Sequence, residues 1–310
     1  MRKRLLSLLL VLACVLTLAV VPVVAAEPDP VQSTASVTEP TPTTDPESSP
    51  EPSSEPSPEP TSEPTSEPTS EPTPEPSPEP SPVPTPSGPW YQAALDFACD
   101  HRILLGDPSG NMMPNDNATR AQMAAMLVRV FGCTAGKDIA HFTDVSTTAW
   151  YYSELSTAAQ MNIFNGYGDG TMGPNRSITR QEAMIVIARA FAVPDGTAAD
   201  IQAFRDASSV GSWAVAKVGG LVKAGIVNGD NGSLHPTASI TRAEIAQMLY
   251  NLGLQFCSDA AALPASGRVI YTGAAPLTAD AFTGTLYLGG PAGRDLGGMN
   301  ITGTLVVRTD

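Results

Sequence analysis

Three arginines, Arg120, Arg180 and Arg242, stand in three copies of one phrase: Ala118-Thr119-Arg120-Ala121-Gln122, Ile178-Thr179-Arg180-Gln181-Glu182 and Ile240-Thr241-Arg242-Ala243-Glu244. A threonine followed three residues later by Glu or Gln is a reciprocal capping box, in which two side chains satisfy backbone donors at a helix start. Each arginine therefore takes the first helical position, where the macrodipole is positive and a cation is mildly unfavourable. Capping alone does not account for that choice, which makes the arginines the first candidates for function. The pattern does not point to catalysis. His101, His141 and His235 fall at unrelated places relative to the phrase, and no Ser-His-Asp or paired-carboxylate arrangement recurs with them.

The elements that position the arginines recur with them. Trp90, Trp150 and Trp213 precede them by 30, 30 and 29 residues, and Gly106, Gly166 and Gly229 follow each tryptophan at a constant 16. Pro114, Pro174 and Pro236 complete a unit of about 60 residues, the mark of a repeat architecture. Each unit reads as helix, Gly-rich loop, helix. The first helix runs from the tryptophan to the glycine, which stops it as a residue that tolerates the left-handed conformation. The loops Gly106-Asp107-Pro108-Ser109-Gly110, Gly166-Tyr167-Gly168-Asp169-Gly170 and Gly229-Asp230-Asn231-Gly232 are turn chemistry. Their aspartates lack the spacing and terminal glutamate of an EF-hand calcium loop, so no metal site is expected. The second helices carry apolar stripes, for example Met184, Ile187, Ala188 and Phe191. Methionines in those stripes read as gap-filling core rather than a cofactor box, and no cofactor is expected. One such helical pair buries little surface alone, so the three units should pack together.

Composition divides the rest of the chain. Residues 1–26 form a signal-like segment: basic Arg2-Lys3-Arg4, an apolar run from Leu5, and Val24-Ala25-Ala26 as a cleavage site before Glu27. The rival readings are an uncleaved anchor and lipidation at Cys14. Residues 27–87 are Pro, Glu, Ser and Thr with few apolar residues, and glutamate recurs at every fourth position from Glu51 to Glu79. Such a stretch cannot bury a core; it reads as a disordered, polyproline-like spacer, reaching on the order of 190 Å if fully extended. Its Ser and Thr beside Pro suit mucin-like O-glycosylation. It also holds 13 of the chain's 31 acidic residues and no basic ones, so most of the formal charge of −14 belongs to it. The remainder is only mildly acidic, which excludes the basic surface that nucleic-acid binding requires. Of the cysteines beyond Cys14, Cys99, Cys133 and Cys257 are an odd set without metal spacing. Either Cys133 and Cys257 form one bridge or all three are buried, inert thiols.

After Asp259 the texture changes. Residues 260–310 alternate as strands at Arg268–Tyr271, Thr283–Leu288 and Ile301–Val307 with Gly-rich turns between them. About 50 residues are too few for a well-buried independent sheet, so this β-rich segment reads as the first rungs of a β-solenoid, truncated here, or the edge of a larger domain. Asp280, Asp295 and Asp310 are its carboxylates, and it has no Glu, His or Cys.

The middle unit assembles Phe142-Thr143-Asp144-Val145, Trp150, Gly166-Tyr167-Gly168-Asp169-Gly170-Thr171 and Ile178 to Glu182, and so resembles the S-layer homology repeat. The third unit is similar, with Phe204-Arg205-Asp206-Ala207, Trp213 and Ile240 to Glu244, although its loop is one residue shorter. The first has Trp90 and the capping phrase, lacks the Phe-x-Asp motif, and departs at Ala118 and Gln122. The resemblance places repeats at 88–135, 140–195 and 202–256. It implies a mainly α fold, three helix-loop-helix repeats in a pseudo-threefold spindle, followed by the short β-rich segment. It further implies an exported cell-surface protein of a Gram-positive type, held non-covalently by grooves between repeats that bind anionic cell-wall polysaccharide, often carrying a pyruvate ketal. Carried over residue by residue, Arg120, Arg180 and Arg242 would grip the anion beside a helix N-terminus. Trp90, Trp150 and Trp213 would shape the groove or pack on sugar, with burial in the core as the rival reading. Gly106, Gly166 and Gly229 would allow close backbone approach. Asp144 and Asp206 would bond hydroxyls or hold neighbouring side chains, unless they cap the helices that follow. Two further classes stay open: a wall-active enzyme that uses the repeats for attachment, and a structural or adhesin-like protein that self-assembles or meets a β-rich partner through its C-terminal segment.

Overall fold

The computed structural model describes residues 88–310; the signal-like segment with Cys14 and the Pro-rich linker lie outside the described residues. Among the described residues no helix is long and apolar enough to cross a membrane. Pro89–Asp310 belong to one compact unit.

Each capping box starts a helix where the sequence places it. Thr119, Thr179 and Thr241 cap α2 (Arg120–Phe131), α4 (Arg180–Ala190) and α7 (Arg242–Asn251), and both halves of the reciprocal box are present in all three. The first helices are α1 (Gln92–Asp100), α3 (Tyr152–Gln160) and α6 (Val215–Lys223), with a short α5 (Ala198–Ile201) before the last. They end well before the loop glycines. Their left-handed stop residues are Arg102, Asn162 and Gly225, so Gly106, Gly166 and Gly229 do not terminate helices.

The first helix of each repeat packs on the second helix of the preceding repeat: α3 on α2, α6 on α4, and, closing the circle, α1 on α7. At the centre three buried residues complete a ring of peptide hydrogen bonds. Ala118 N–H donates to the Ile240 carbonyl, Ile240 to Ile178, and Ile178 to Ala118, at 2.9 to 3.0 Å. The spindle therefore closes through its backbone.

A mainly α description is overturned by the content of the described residues, 31% helix and 16% strand. Helices are short because much of each repeat is loop, and β1 (Leu254–Cys257), β2 (Ser266–Tyr271), β3 (Ala281–Leu288) and β4 (Asn300–Val307) follow in order as a wholly parallel sheet. Parallel neighbours separated by short Gly-rich turns wind as a solenoid of about three turns. Gly267, Gly284 and Gly303 stand in register, each with positive φ. A Cβ on Gly284 would lie 2.3 Å from the Gly267 carbonyl oxygen, so only glycine allows that stack. Alternation sends Val269, Tyr271, Leu286 and Leu288 into the solenoid's own core. Ile270, Tyr287 and Val306 instead join the helical core, which is how so short a sheet becomes buried.

The docking surface is the C-terminal end of the second helices. Arg308 donates from Nε to Ala190 O and from Nη2 to Arg189 O, Arg268 donates to Leu252 O, and the Tyr287 hydroxyl donates to Phe191 O. These cations meet the negative ends of helix dipoles and their unpaired carbonyls. Cys99, Cys133 and Cys257 are all free thiols. Burial pushes the Cys133 thiol up to about 11, and it donates to Arg308 O, so the thiol is inert. Replacing Arg308 by Ala removes two bonds to the end of α4; we expect a loss of about 1–2 kcal/mol in urea unfolding, with the helical circular dichroism of the folded state unchanged.

Candidate functional site

The helix starts are fully committed. In α4, Thr179 N–H donates to Glu182 Oε2, Arg180 N–H to Ala238 O, Gln181 N–H to Pro236 O, and Glu182 N–H to Thr179 Oγ1. The same four bonds recur in α2, with Arg176 O and Pro174 O as acceptors, and in α7, with Asp116 O and Pro114 O. The recurrent prolines thus lend their carbonyls to a neighbouring repeat. No backbone donor at these N-termini is left for a bound anion.

The arginine side chains repeat the pattern. Arg120 Nε donates to Met172 O and Nη2 to Asn165 O. Arg180 Nε donates to Leu234 O. Arg242 Nε donates to Met112 O and Nη2 to Leu105 O. Each guanidinium clasps the loop of the next repeat, and all three arginines are buried. Arg120 is the deepest, at 1% exposure, with its guanidinium 4.4 Å from the Tyr167 ring centre and 5.3 Å from that of Phe164. The awkward cation at the first helical position is thus an inter-repeat clamp.

Asp144 and Asp206 work one step behind the clamp. Asp144 accepts from Met172 N–H and Gly173 N–H, both at 2.8 Å; Asp206 accepts from Leu234 N–H and His235 N–H. Their carboxylates fix the loop whose carbonyl receives the arginine instead of capping the helices that follow. Burial works against the Asp206 charge, but those N–H donors prevail and hold its carboxyl below the usual range. Phe142 and Phe204 explain two of the glycines. A Cβ on Gly166 would lie 2.0 Å from the Phe142 ring, and one on Gly229 2.6 Å from the Phe204 ring. Gly106 has no such ring; its own loop closes against it at Asn111 O. Phe256 stacks on His101. The loop aspartates hold their own turns, as where Asp107 accepts from the Ser109 and Asn111 amides.

The tryptophans are not core. Trp90 is 65% exposed, Trp150 59% and Trp213 36%. Cyclic closure gathers one candidate of each kind from three different repeats. Trp90, Arg180 and Gly229 line a groove of about 600 Å³, and Trp150, Arg242 and Gly106 line a second of about 310 Å³. In the remaining combination Tyr167 covers the Arg120 guanidinium and donates to Glu182. Trp213 folds against Gly211, whose amide is held by Gln181.

Sequence reasoning missed the partners that distinguish the two grooves. Arg180 forms an ion pair with Glu244 at 2.5 Å, and Gln247, Asn251 and Asp230 line the same groove. In the second groove Gln122 stands where Glu244 does, and Arg129 from the last turn of α2 adds a second cation. The substitution of Gln for Glu in the first capping box was the available signal.

Comparison with known proteins agrees with the repeat frame. The S-layer homology domain family matches residues 85–124, 141–184 and 203–246. A surface-layer 125 kDa protein of Lysinibacillus sphaericus is 32% identical over 158 residues, 49% of this chain and 13% of that protein. A cellulosome-anchoring protein of Acetivibrio thermocellus is 31% identical over 47% of this chain and 34% of its own length. An amylopullulanase of Thermoanaerobacterium thermosulfurigenes is 30% identical over 53% of this chain and 9% of its own. The similarity thus spans about half of this chain and 9 to 34% of these relatives.

The clamp can be tested apart from any ligand. Arg120→Ala removes the side-chain donors to the buried Met172 carbonyl and the part-buried Asn165 carbonyl and opens a cavity, so it should cost about 3 kcal/mol in urea unfolding. Arg120→Lys, which cannot reproduce the fork, should recover only part of this.

Proposed function

We propose that this chain, which belongs to the S-layer homology domain proteins, anchors itself to the bacterial cell wall by binding wall polysaccharide in the grooves between its repeats. It is a secreted, cell-surface protein. The observation that carries the reading is the pairing of an exposed tryptophan with an arginine from the next repeat in each of two grooves. An exposed indole face stacks on the apolar face of a sugar ring, and a guanidinium supplies fixed, planar donors to a carboxylate. An anionic polymer bearing carboxylates such as ketal-linked pyruvate suits that combination. Because the arginine N–H groups already bond to loop carbonyls, the guanidinium reaches the groove as a pre-positioned charge and loses little entropy on binding. Two modest sites on one polymer gain from effective concentration, so attachment lasts without a tight single site.

The alternative is an enzyme whose repeats serve only for attachment, and the amylopullulanase relative motivates it. Beyond Asp259 the carboxylates are Asp280, Asp295 and Asp310. Asp310 is engaged by the amides of Thr134 and Ala135, and Asp295 by Gly297 N–H. That commitment favours a non-catalytic reading of Asp295 and Asp310.

A second role, assembly through the C-terminal segment, draws on β4. Leu305 and Val307 on this edge strand are 39% and 52% exposed, while their register partners Leu286 and Leu288 are buried. Unpaired strand edges with apolar side chains favour β-addition. If the edge assembles, Leu305→Lys should reduce the sedimentation coefficient of concentrated protein; an unchanged value rules assembly there out.

For wall binding, Trp90→Ala and Trp150→Ala should each weaken sedimentation of the purified protein with isolated wall polysaccharide by about tenfold, with unfolding midpoints close to wild type because both rings are exposed. Undiminished binding by the double variant overturns the groove assignment.

A further inference from the structure

The two grooves share a scaffold but differ in charge. The Trp90 groove sets one arginine against two carboxylates: Arg180 is paired with Glu244, and Asp230 also lines the wall. The Trp150 groove is lined by Arg242 and Arg129 with no acidic residue among its lining. Gln122 is the reason. It keeps the capping box, accepting from Thr119 N–H at 3.0 Å through its side-chain oxygen, yet removes the charge that Glu182 and Glu244 bring at the same position.

We infer that the Trp150 groove is the anion-selective site of the pair, with Arg242 and Arg129 as its cations, and that the Trp90 groove takes uncharged sugar of the same polymer. Arg242 is held by the carbonyls of Leu105 and Met112, and Arg129 by Ile103 O. Those neutral acceptors orient the two guanidinium groups, and no carboxylate of the groove lining stands against either one. Burial lowers the Arg242 pKa, Asp116 opposes this, and Arg129 lowers it further, as expected of two neighbouring cations. Burial likewise lowers that of Arg129, opposed by Glu154 of α3, which is outside the groove lining. A carboxylate arriving between the arginines relieves their repulsion, a gain absent from the Trp90 groove, where Glu244 already answers Arg180. That groove offers Gln247 and Asn251, amides that suit hydroxyls, beneath the open Trp90 ring.

This assignment rests on the polysaccharide reading, and one titration separates the two. Wall polysaccharide is prepared in two forms, native and with its carboxylates amidated by carbodiimide, and each is titrated calorimetrically into the full chain and into Gln122→Glu. The substitution installs the residue the other two capping boxes already carry, so folding is preserved and checked by the urea midpoint. Wild type should bind the native form about tenfold more tightly than the amidated one. Gln122→Glu should lose about tenfold on the native form and little on the amidated form, the size expected of one charge a few ångströms away in a partly buried site. Arg129→Gln should act in the same direction. Wild type binding both forms equally, or Gln122→Glu binding the native form like wild type, overturns the anion assignment and leaves wall binding standing. Wild type binding neither form overturns both.

Discussion

The structure depends on closure of a circle through the backbone. Ala118, Ile178 and Ile240 each donate a peptide hydrogen bond to the next around the axis, and the first two N–H groups of every second helix donate to carbonyls of a neighbouring repeat. Helix N-termini normally find partners in water or in local caps. Here half of that requirement is met across the repeat boundary, so the helices and the circle form together. No single repeat can satisfy its own helix start.

That constraint decides what the arginines can do. A guanidinium beside a helix N-terminus looks, in one dimension, like half of an anion site. In three dimensions the backbone donors are occupied and the guanidinium is threaded onto carbonyls of the adjoining loop. The tie is strongest for Arg120, where Tyr167 and Phe164 close over the charge. On the proposed reading, binding and integrity share residues. Removing an arginine would disturb the fold as well as the groove, whereas Trp90 and Trp150, standing clear of the core, would report on the ligand alone.

How much of this was legible in the sequence follows from which atoms carry each interaction. Capping boxes, apolar stripes, repeat frame and the last three strands are side-chain patterns that appear where the residues imply, whereas β1 (Leu254–Cys257) was not anticipated. The inter-repeat clamp was hidden because its acceptors are main-chain oxygens of Leu105, Met112, Asn165, Met172 and Leu234, whose identities carry no signal. The helix ends were misread for a related reason: the left-handed position falls on Arg102 and Asn162 in two repeats, and only Gly225 advertises it. For the C-terminal segment, alternation gave strands but not their parallel order, and Arg268 and Arg308 again bond to carbonyls. The mainly α expectation failed because much of each repeat is loop and the C-terminal segment is a solenoid, leaving 31% helix against 16% strand.

Equivalent positions have diverged where the scaffold permits. Directly after the loop glycine stand Asp107, Tyr167 and Asp230; at the third position of the second helix stand Gln122, Glu182 and Glu244. None of these changes touches the backbone ring, since Gln and Glu serve the capping box equally and the loops keep their turns. They change what faces the groove: a tyrosine over one arginine, a carboxylate against the second, an uncharged amide beside the third. Closure makes each groove a composite of three repeats, so a single substitution in one repeat retunes a site whose tryptophan and arginine come from the other two. A threefold frame built for geometric equivalence thereby presents three chemically distinct faces.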